Sequence, residues 1–218
     1  MKAWIEEDNI NYEYIIRFLR DNIKKSEGQL LEMEQFAKEN KVPISQPESI
    51  RLTEILLMMK KPERILEIGT AIGYSAIKMA KASDAEIVTI ELSCEMADIA
   101  EENIKKAGLE NRITVLRGDA KEVLKTVSGE FDVVFMDAAK GHYMDFFLEC
   151  DRLLKKGGLL ISDNVLYKGM TATDELVVHR KITIVKRLRK YLEFLKENEA
   201  YQTAIIPIGD GVALSVKE

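Results

Sequence analysis

The chain has 218 residues, 46% of them apolar, which suits one domain with a sizeable core and excludes a disordered chain. No apolar run approaches the roughly 18 residues of a membrane span, and residues 1–9 carry Glu6, Glu7 and Asp8 where a signal peptide needs an apolar core. A net charge of -5 gives no global pull towards nucleic acid, and Cys94 and Cys150, which lack metal-ligand spacing, read as reduced thiols of a cytoplasmic protein.

Residues 8–60 read as helical. Ile10, Tyr14, Ile15 and Phe18 recur at helical spacing, as do Leu30, Leu31, Met33 and Phe36. Beyond Pro43 and Pro47, a third stripe holds Ile50, Leu52, Ile55, Leu56 and Met59. The pattern predicts a helical cap over 1–60 on a core spanning 61–218, together one domain. The corner Val42-Pro43-Ile44-Ser45 is where such a cap would meet a ligand.

The core opens on Arg64 to Ala76. Ile65, Leu66 and Ile68 form a short buried strand, Gly69 and Gly73 bracket a tight turn, and Ile77, Met79 and Ala80 begin a helix. A strand, a glycine turn and a helix N-terminus let a ligand approach backbone. The dinucleotide fingerprint is absent, because Ala71 and Tyr74 stand where glycines would be needed. The acid Glu67 near the strand end would repel a pyrophosphate and suits a ligand with an ammonium group. S-adenosylmethionine has that group and no phosphate; a nicotinamide dinucleotide is the next candidate.

Strands at 87–90, 113–116, 131–136 and 159–162 then alternate with helices at 95–107, 120–127 and 143–154, the last stopped by Gly157-Gly158. This alternation predicts an α/β fold, a mostly parallel sheet with helices on both faces. One long amphipathic helix is expected over 174–197. Ala204-Ile205-Ile206-Pro207 and Val212 to Val216, joined by Gly209-Asp210-Gly211, read as an antiparallel hairpin closing the sheet.

Ligands of open α/β sheets bind outside the carboxyl ends of the strands. There the chain places Glu67, Glu91, Asp119, Asp137 and the pair Asp163-Asn164. Glu91, about twenty residues after the glycine turn, can hold both ribose hydroxyls. Asp119 and Ala120 would meet the adenine edge, or Asp119 could simply cap the next helix. Ser75 could bond the ligand or cap its own helix. Asp137, Asp163 and Asn164 offer two carboxylates and one amide oxygen, hard donors suited to Mg2+ or Mn2+, although Asp-Asn is also a common turn.

Leu66-Glu67-Ile68-Gly69-Thr70, Glu91, Gly118-Asp119-Ala120, Phe135 to Lys140 and Asp163-Asn164-Val165-Leu166 together resemble the cation-dependent O-methyltransferases, the family of catechol and caffeoyl-coenzyme A O-methyltransferases. The resemblance runs from about residue 40 to the C-terminus. It implies a Rossmann-like seven-stranded sheet, S-adenosylmethionine near Ser45, Glu67, Gly69, Ser75, Glu91, Asp119, Ala120 and Asp137, and a metal on Asp137, Asp163 and Asn164. It also implies that Lys140 acts beside Asp137 as base or electrostatic partner. Homodimers are common in the family. Residues 201–207, the 209–211 turn and Val42-Pro43-Ile44 are most similar to members that methylate 5-hydroxyuridine at the tRNA wobble position, although Ser45 departs from the apolar residue expected there.

The acceptor class stays open at this stage. The 5-hydroxyl and 4-carbonyl of 5-hydroxyuridine can chelate one ion as the two oxygens of a catechol do. Arg180, Lys181, Lys186, Arg187, Arg189 and Lys190 form an acid-free basic run that could hold phosphates of a tRNA anticodon loop, and Arg17, Arg20, Lys24 and Lys25 make a second strip. Either run could equally be a solvated face. A small catechol or phenol is the alternative substrate, and a binding protein without chemistry the third reading, which Lys140 and the metal trio disfavour. His142 and His179 are assigned surface positions only, and Tyr143 a place in the core.

Overall fold

The structure is a computed structural model, and it describes residues 9–218. The reading of the first eight residues as no signal peptide lies outside the described part. Helices α1 (Glu13–Asp21), α2 (Gln29–Asn40) and α3 (Pro47–Lys60) precede the sheet. Then β1 (Arg64–Ile68), α4 (Tyr74–Ala82), β2 (Glu86–Glu91), α5 (Cys94–Lys106), β3 (Ile113–Arg117), α6 (Ala120–Thr126) and β4 (Phe131–Met136) alternate as expected. After α7 (Tyr143–Leu153), β5 (Leu154–Ser162), α8 (Ile182–Glu197), β6 (Tyr201–Ile206) and β7 (Val212–Lys217) complete the chain.

The seven strands lie in the order β3-β2-β1-β4-β5-β7-β6. The first five are parallel, and β7 pairs antiparallel with both β5 and β6. The predicted Rossmann-like sheet with a terminal hairpin is therefore what the chain forms. Strand periodicity divides the core in two. Leu66, Ile68, Val134 and Met136 face Phe147, Leu188 and Tyr191 on one side. Ile65, Val133, Phe135 and Ile161 face Ile50, Leu57, Ile77 and Met79 on the other. Among the described residues no helix is long and apolar enough to cross a membrane.

Three expectations are corrected. The apolar stripe of α1 does not point inward: Ile16 is buried, while Tyr14 and Phe18 are 66% and 65% exposed. Arg20 fastens this helix instead, through paired 2.9 Å bonds to the buried Glu48. In α2 and α3 the inward residues are Met33, Ala37, Ile50 and Leu57, and Leu31, Phe36, Ile55 and Met59 face out. Second, Gly157-Gly158 do not end an element before a strand at 159; they lie inside β5. The register with β4 jumps from Phe131↔Leu154 to Val133↔Leu159, and the left-handed φ of +71° at Gly157 admits the irregularity. Third, the last helix starts at Ile182, not at 174. Arg189 draws the preceding segment back along the helix, donating to Met170 O and Thr171 O (3.0 Å each) and to Asp174 at 2.6 Å.

Candidate active site

The acids meet at the carboxyl edge because the ladder continues one residue past each strand. Asp137 N donates to Ile68 O at 3.0 Å, and Asp163 N to Met136 O at 2.9 Å. Neighbouring strand tips thus carry Asp137 and Asp163 side by side. Gly118 N donates to Glu91 O at 2.8 Å and aligns the β2 and β3 tips likewise.

Over this edge lies a cavity of about 750 Å³. Of the sequence candidates, Ser45, Gly69, Ser75, Glu91, Asp119, Ala120, Asp137, Lys140 and Asn164 line it. Glu67 and Asp163 do not. Glu67 occupies the β1 position that faces α4, fully buried, and accepts hydrogen bonds from Ser75 Oγ and, at 2.5 Å, from Thr89 Oγ1. Thr89 in turn shares a 2.5 Å bond with Thr70 of the glycine turn. So Glu67 supports the turn from beneath, directly through Ser75 and by way of Thr89 through Thr70, both of which line the cavity.

The turn itself is held from two sides. Glu91 accepts from Ala71 N and from Ser93 N at 2.8 Å each, which fixes Ala71 at a φ of +45°. Gly69 has a φ of +103°, and a Cβ there would stand 2.4 Å from the Asp137 carbonyl oxygen. This close approach of β1 to β4 is what the first glycine permits. Asp119 caps α6, accepting from Lys121 N at 2.9 Å, and also lines the cavity.

Burial raises the Glu67 carboxyl from 4.5 to about 7, against the lowering pull of Ser75 and Thr89; the charges of Asp137 and Glu91 raise it further. A carboxyl raised on folding binds its proton more tightly when folded. Its stabilising contribution is complete below about pH 4.5 and is lost as pH climbs towards 7. Glu67→Gln should cancel that loss. The variant's stability relative to wild type should rise between pH 4.5 and 7 by about 3 kcal/mol and then level off. Urea titrations at pH 4.5 and 8 check this; a difference independent of pH would contradict it.

At the other end, Asp137 Oδ2 accepts from Ser45 Oγ at 3.2 Å and Oδ1 from Asn164 Nδ2 at 2.9 Å. Asp163 is 2% exposed and accepts from Asn164 N at 2.7 Å. Asn164 takes a left-handed conformation, with its side-chain amide on Asp137 and its backbone N–H on Asp163. Burial raises both carboxyls above their ordinary range, and the Asp137 charge raises Asp163 further. The Lys140 ammonium acts against these shifts from the turn 140–142, without an ion pair to either acid among the described residues. Tyr143 belongs to the core as expected, donating to Asp163 O at 2.7 Å.

Some of the lining escaped the sequence reading. Leu92 and Met96 flank Glu91, and Phe146 and His142 close the far wall. His142 shares Asp145 with Lys121, at 2.8 and 2.7 Å, so one carboxylate joins two residues of the lining. An apolar Leu92 directly after a strand-end acid was the available signal.

A profile of the O-methyltransferase family matches residues 23–218. The chain belongs to the O-methyltransferase family. It is accordingly an enzyme of the S-adenosylmethionine-dependent methyltransferase class. It is 30% identical over 181 residues to a catechol O-methyltransferase of Niastella koreensis, covering 78% of this chain and 80% of the relative. Its fold matches a Podospora anserina methyltransferase solved bound to SAH, with a TM-score of 0.86, 26% identity, and coverage of 100% of this chain and 98% of that one. It also matches a Streptomyces achromogenes O-methyltransferase of tomaymycin synthesis solved with SAM, at TM-score 0.82 and 26% identity, covering 98% and 99% of the two chains.

Proposed function

We propose that this O-methyltransferase, acting as one domain in the cytoplasm, methylates a hydroxyl that stands beside a second oxygen, using S-adenosylmethionine and a divalent cation. The observation that carries the reading is the adjacent pair of half-buried Asp137 and buried Asp163, without a direct cationic partner among the described residues, with Asp137 lining one end of a cavity whose other end holds Glu91 and Asp119. Two adjacent carboxylates, both raised by desolvation and one raised further by its neighbour's charge, suit a bound cation. Among the described residues no three His, Cys, Asp or Glu side chains converge on a metal position. Mg2+ or Mn2+ would rest on Asp137, Asp163 and, with the side-chain amide that here donates to Asp137 turned over, the Asn164 amide oxygen, leaving positions for the acceptor's two oxygens.

For the cofactor, Glu91 would take the ribose hydroxyls, Asp119 and Ala120 the adenine edge, and Gly69, Ser75, Ser45 and Asp137 the amino-acid end, with Glu67 beneath. S-adenosylmethionine supplies an electrophilic methyl group, and a divalent cation favours the ionised form of a hydroxyl. What the chain adds is alignment and proton handling. The rigid strand tips and the 42–45 corner hold acceptor and methyl donor in line. Lys140, in the same cavity, receives the hydroxyl proton or stabilises the oxygen's charge. Glu91→Ala should weaken S-adenosylmethionine binding by roughly 1–3 kcal/mol, since it also frees Ala71 N and Ser93 N. Calorimetry measures this, and equal affinity of the wild type for NAD would contradict the cofactor assignment.

The acceptor we propose is 5-hydroxyuridine at the tRNA wobble position, giving 5-methoxyuridine. A base in a single-stranded loop can be splayed into the cavity without melting a duplex. Arg180, Lys186 and Lys190 are exposed and available to phosphates, and Arg187 donates to Gly141 O next to Lys140. Arg189 and Arg20 drop out of the basic strips, being committed to loop carbonyls and to Glu48. A small catechol or phenol is the second reading, favoured by the catechol O-methyltransferase among the relatives. The outward apolar residues Tyr14, Ile15 and Phe18 of α1, with its N-cap Tyr12, support a homodimer. Nucleoside mass spectrometry of tRNA from cells with and without the gene tests the acceptor. Accumulation of 5-hydroxyuridine in its absence is expected, and an unchanged nucleoside profile would favour the small-molecule reading.

A further inference from the structure

A second cavity, of about 590 Å³, lies across the 42–45 corner from the first. The two share that corner and Tyr74. Ser45 faces both, since its hydroxyl reaches Asp137 at 3.2 Å while the residue also lines the second cavity. A molecule reacting over Asp137 and continuing past Ser45 would enter this space.

The walls differ in kind from those of the first cavity. Ile16 of α1, Ala37 of α2 and Val42 and Ile44 of the corner give an apolar surface. Lys38, on the last turn of α2, and Lys41, its C-cap, give the rim two ammonium groups. The helix end opposes an anion with about half a charge, less than these two lysines supply. Other charged groups in the lining are already engaged. Arg20 bonds Glu48, Glu34 accepts from Tyr74 Oη at 2.6 Å and from Ser26 Oγ at 2.5 Å, and Asp210 accepts from the backbone N–H of Lys168, which also lines the cavity. On a chain of net charge -5, an apolar recess with a cationic rim next to the reacting edge calls for an occupant with a flat apolar part and an anionic part.

We propose that this cavity is a subsite for the nucleotide adjoining the acceptor uridine, with base and sugar against Ile16, Val42 and Ile44 and the phosphate at Lys38 and Lys41. The proposal rests on the tRNA reading above and adds to it: recognition extends to one neighbour held by α2, a helix outside the methyltransferase core. A free catechol has no part that uses this space.

The test compares 5-hydroxyuridine nucleoside with a trinucleotide carrying 5-hydroxyuridine at its centre, with unmodified-gene-product tRNA as a third substrate. The enzymes are the wild type and Lys38→Gln/Lys41→Asn, the asparagine being chosen because position 41 is left-handed. The readout is the ratio of kcat/KM for trinucleotide to that for nucleoside, with the thermal midpoint as a check on folding. The expected ratio is tenfold or more for wild type, falling towards one in the variant and, for wild type, with added salt. A ratio near one in the wild type, or one that the folded variant retains, overturns the subsite while leaving the tRNA reading standing. Methylation of none of the three, tRNA included, overturns the tRNA reading and the subsite with it.

Discussion

Asp163→Asn should fold normally and lose on the order of 10³-fold in kcat/KM, the scale of several kcal/mol of metal-dependent stabilisation. The two halves of this expectation come from one fact. The Asp163 side chain is buried beside Asp137 and gains only the Asn164 N–H, whereas its backbone carbonyl makes the structural bond to Tyr143. An amide in its place removes charge repulsion and keeps the packing. The cation, in contrast, loses one of two carboxylates. Wild-type protein should therefore show a thermal midpoint that rises with Mg2+, following mass action for a ligand of the folded state. The variant should melt at least as high as metal-free wild type and show no such rise. A chelator should bring wild type to the variant's activity, and added Mg2+ or Mn2+ should restore it. Full activity in the chelator would take the cation out of the mechanism.

Gly69→Ala should damage fold and site together. The added Cβ would sit 2.4 Å from the Asp137 carbonyl oxygen, a backbone atom that cannot turn aside, at a φ of +103° that L-residues avoid. Strain and overpacking together should cost about 3 kcal/mol or more. For a chain of this size that lowers the thermal midpoint by roughly 10 °C. Relief by separation of β1 from β4 would shift Asp137 away from Asn164 and Ser45, so S-adenosylmethionine affinity should fall even below the melting range. Calorimetry at 15 °C separates the two effects. Gly157→Ala is the control: its glycine is also left-handed, lies inside β5 away from the cavity and has open space around the missing Cβ. It should cost stability without touching cofactor affinity.

How much could be read from the chain follows from which forces are local. The five parallel strands were legible because each is a short apolar run bounded by glycine or an acid, and burial on both faces demands that composition. The convergence of Glu91, Asp119, Asp137 and Asn164 followed from the one rule that parallel strands end on the same edge. Glu67 escaped the rule because it is not the last residue of its strand. Side chains alternate across a sheet, and Ile68, not Glu67, is adjacent to the turn, which sends the carboxylate under α4. The start of α8 was illegible for another reason. Val177 fits the apolar stripe of the helix, but Arg189, twelve residues on, wins the carbonyls of Met170 and Thr171 and the carboxylate of Asp174. That competition is tertiary, and no periodicity records it. The cap misled in the same way: Tyr14 and Phe18 form a helical stripe whether their face meets the core or something outside this chain.

The central claim is methyl transfer to an oxygen of a chelating pair. Its most direct test is to incubate the enzyme with Mg2+, S-adenosylmethionine carrying a deuterated methyl group, and bulk tRNA from a strain lacking the gene, with catechol in a parallel reaction. Nucleosides and small products are then read by mass spectrometry. The account predicts a deuterated methyl on the 5-oxygen of wobble 5-hydroxyuridine, abolished by chelator and by Asp163→Asn. Label on neither tRNA nor catechol, or label that persists undiminished in the chelator, would contradict it.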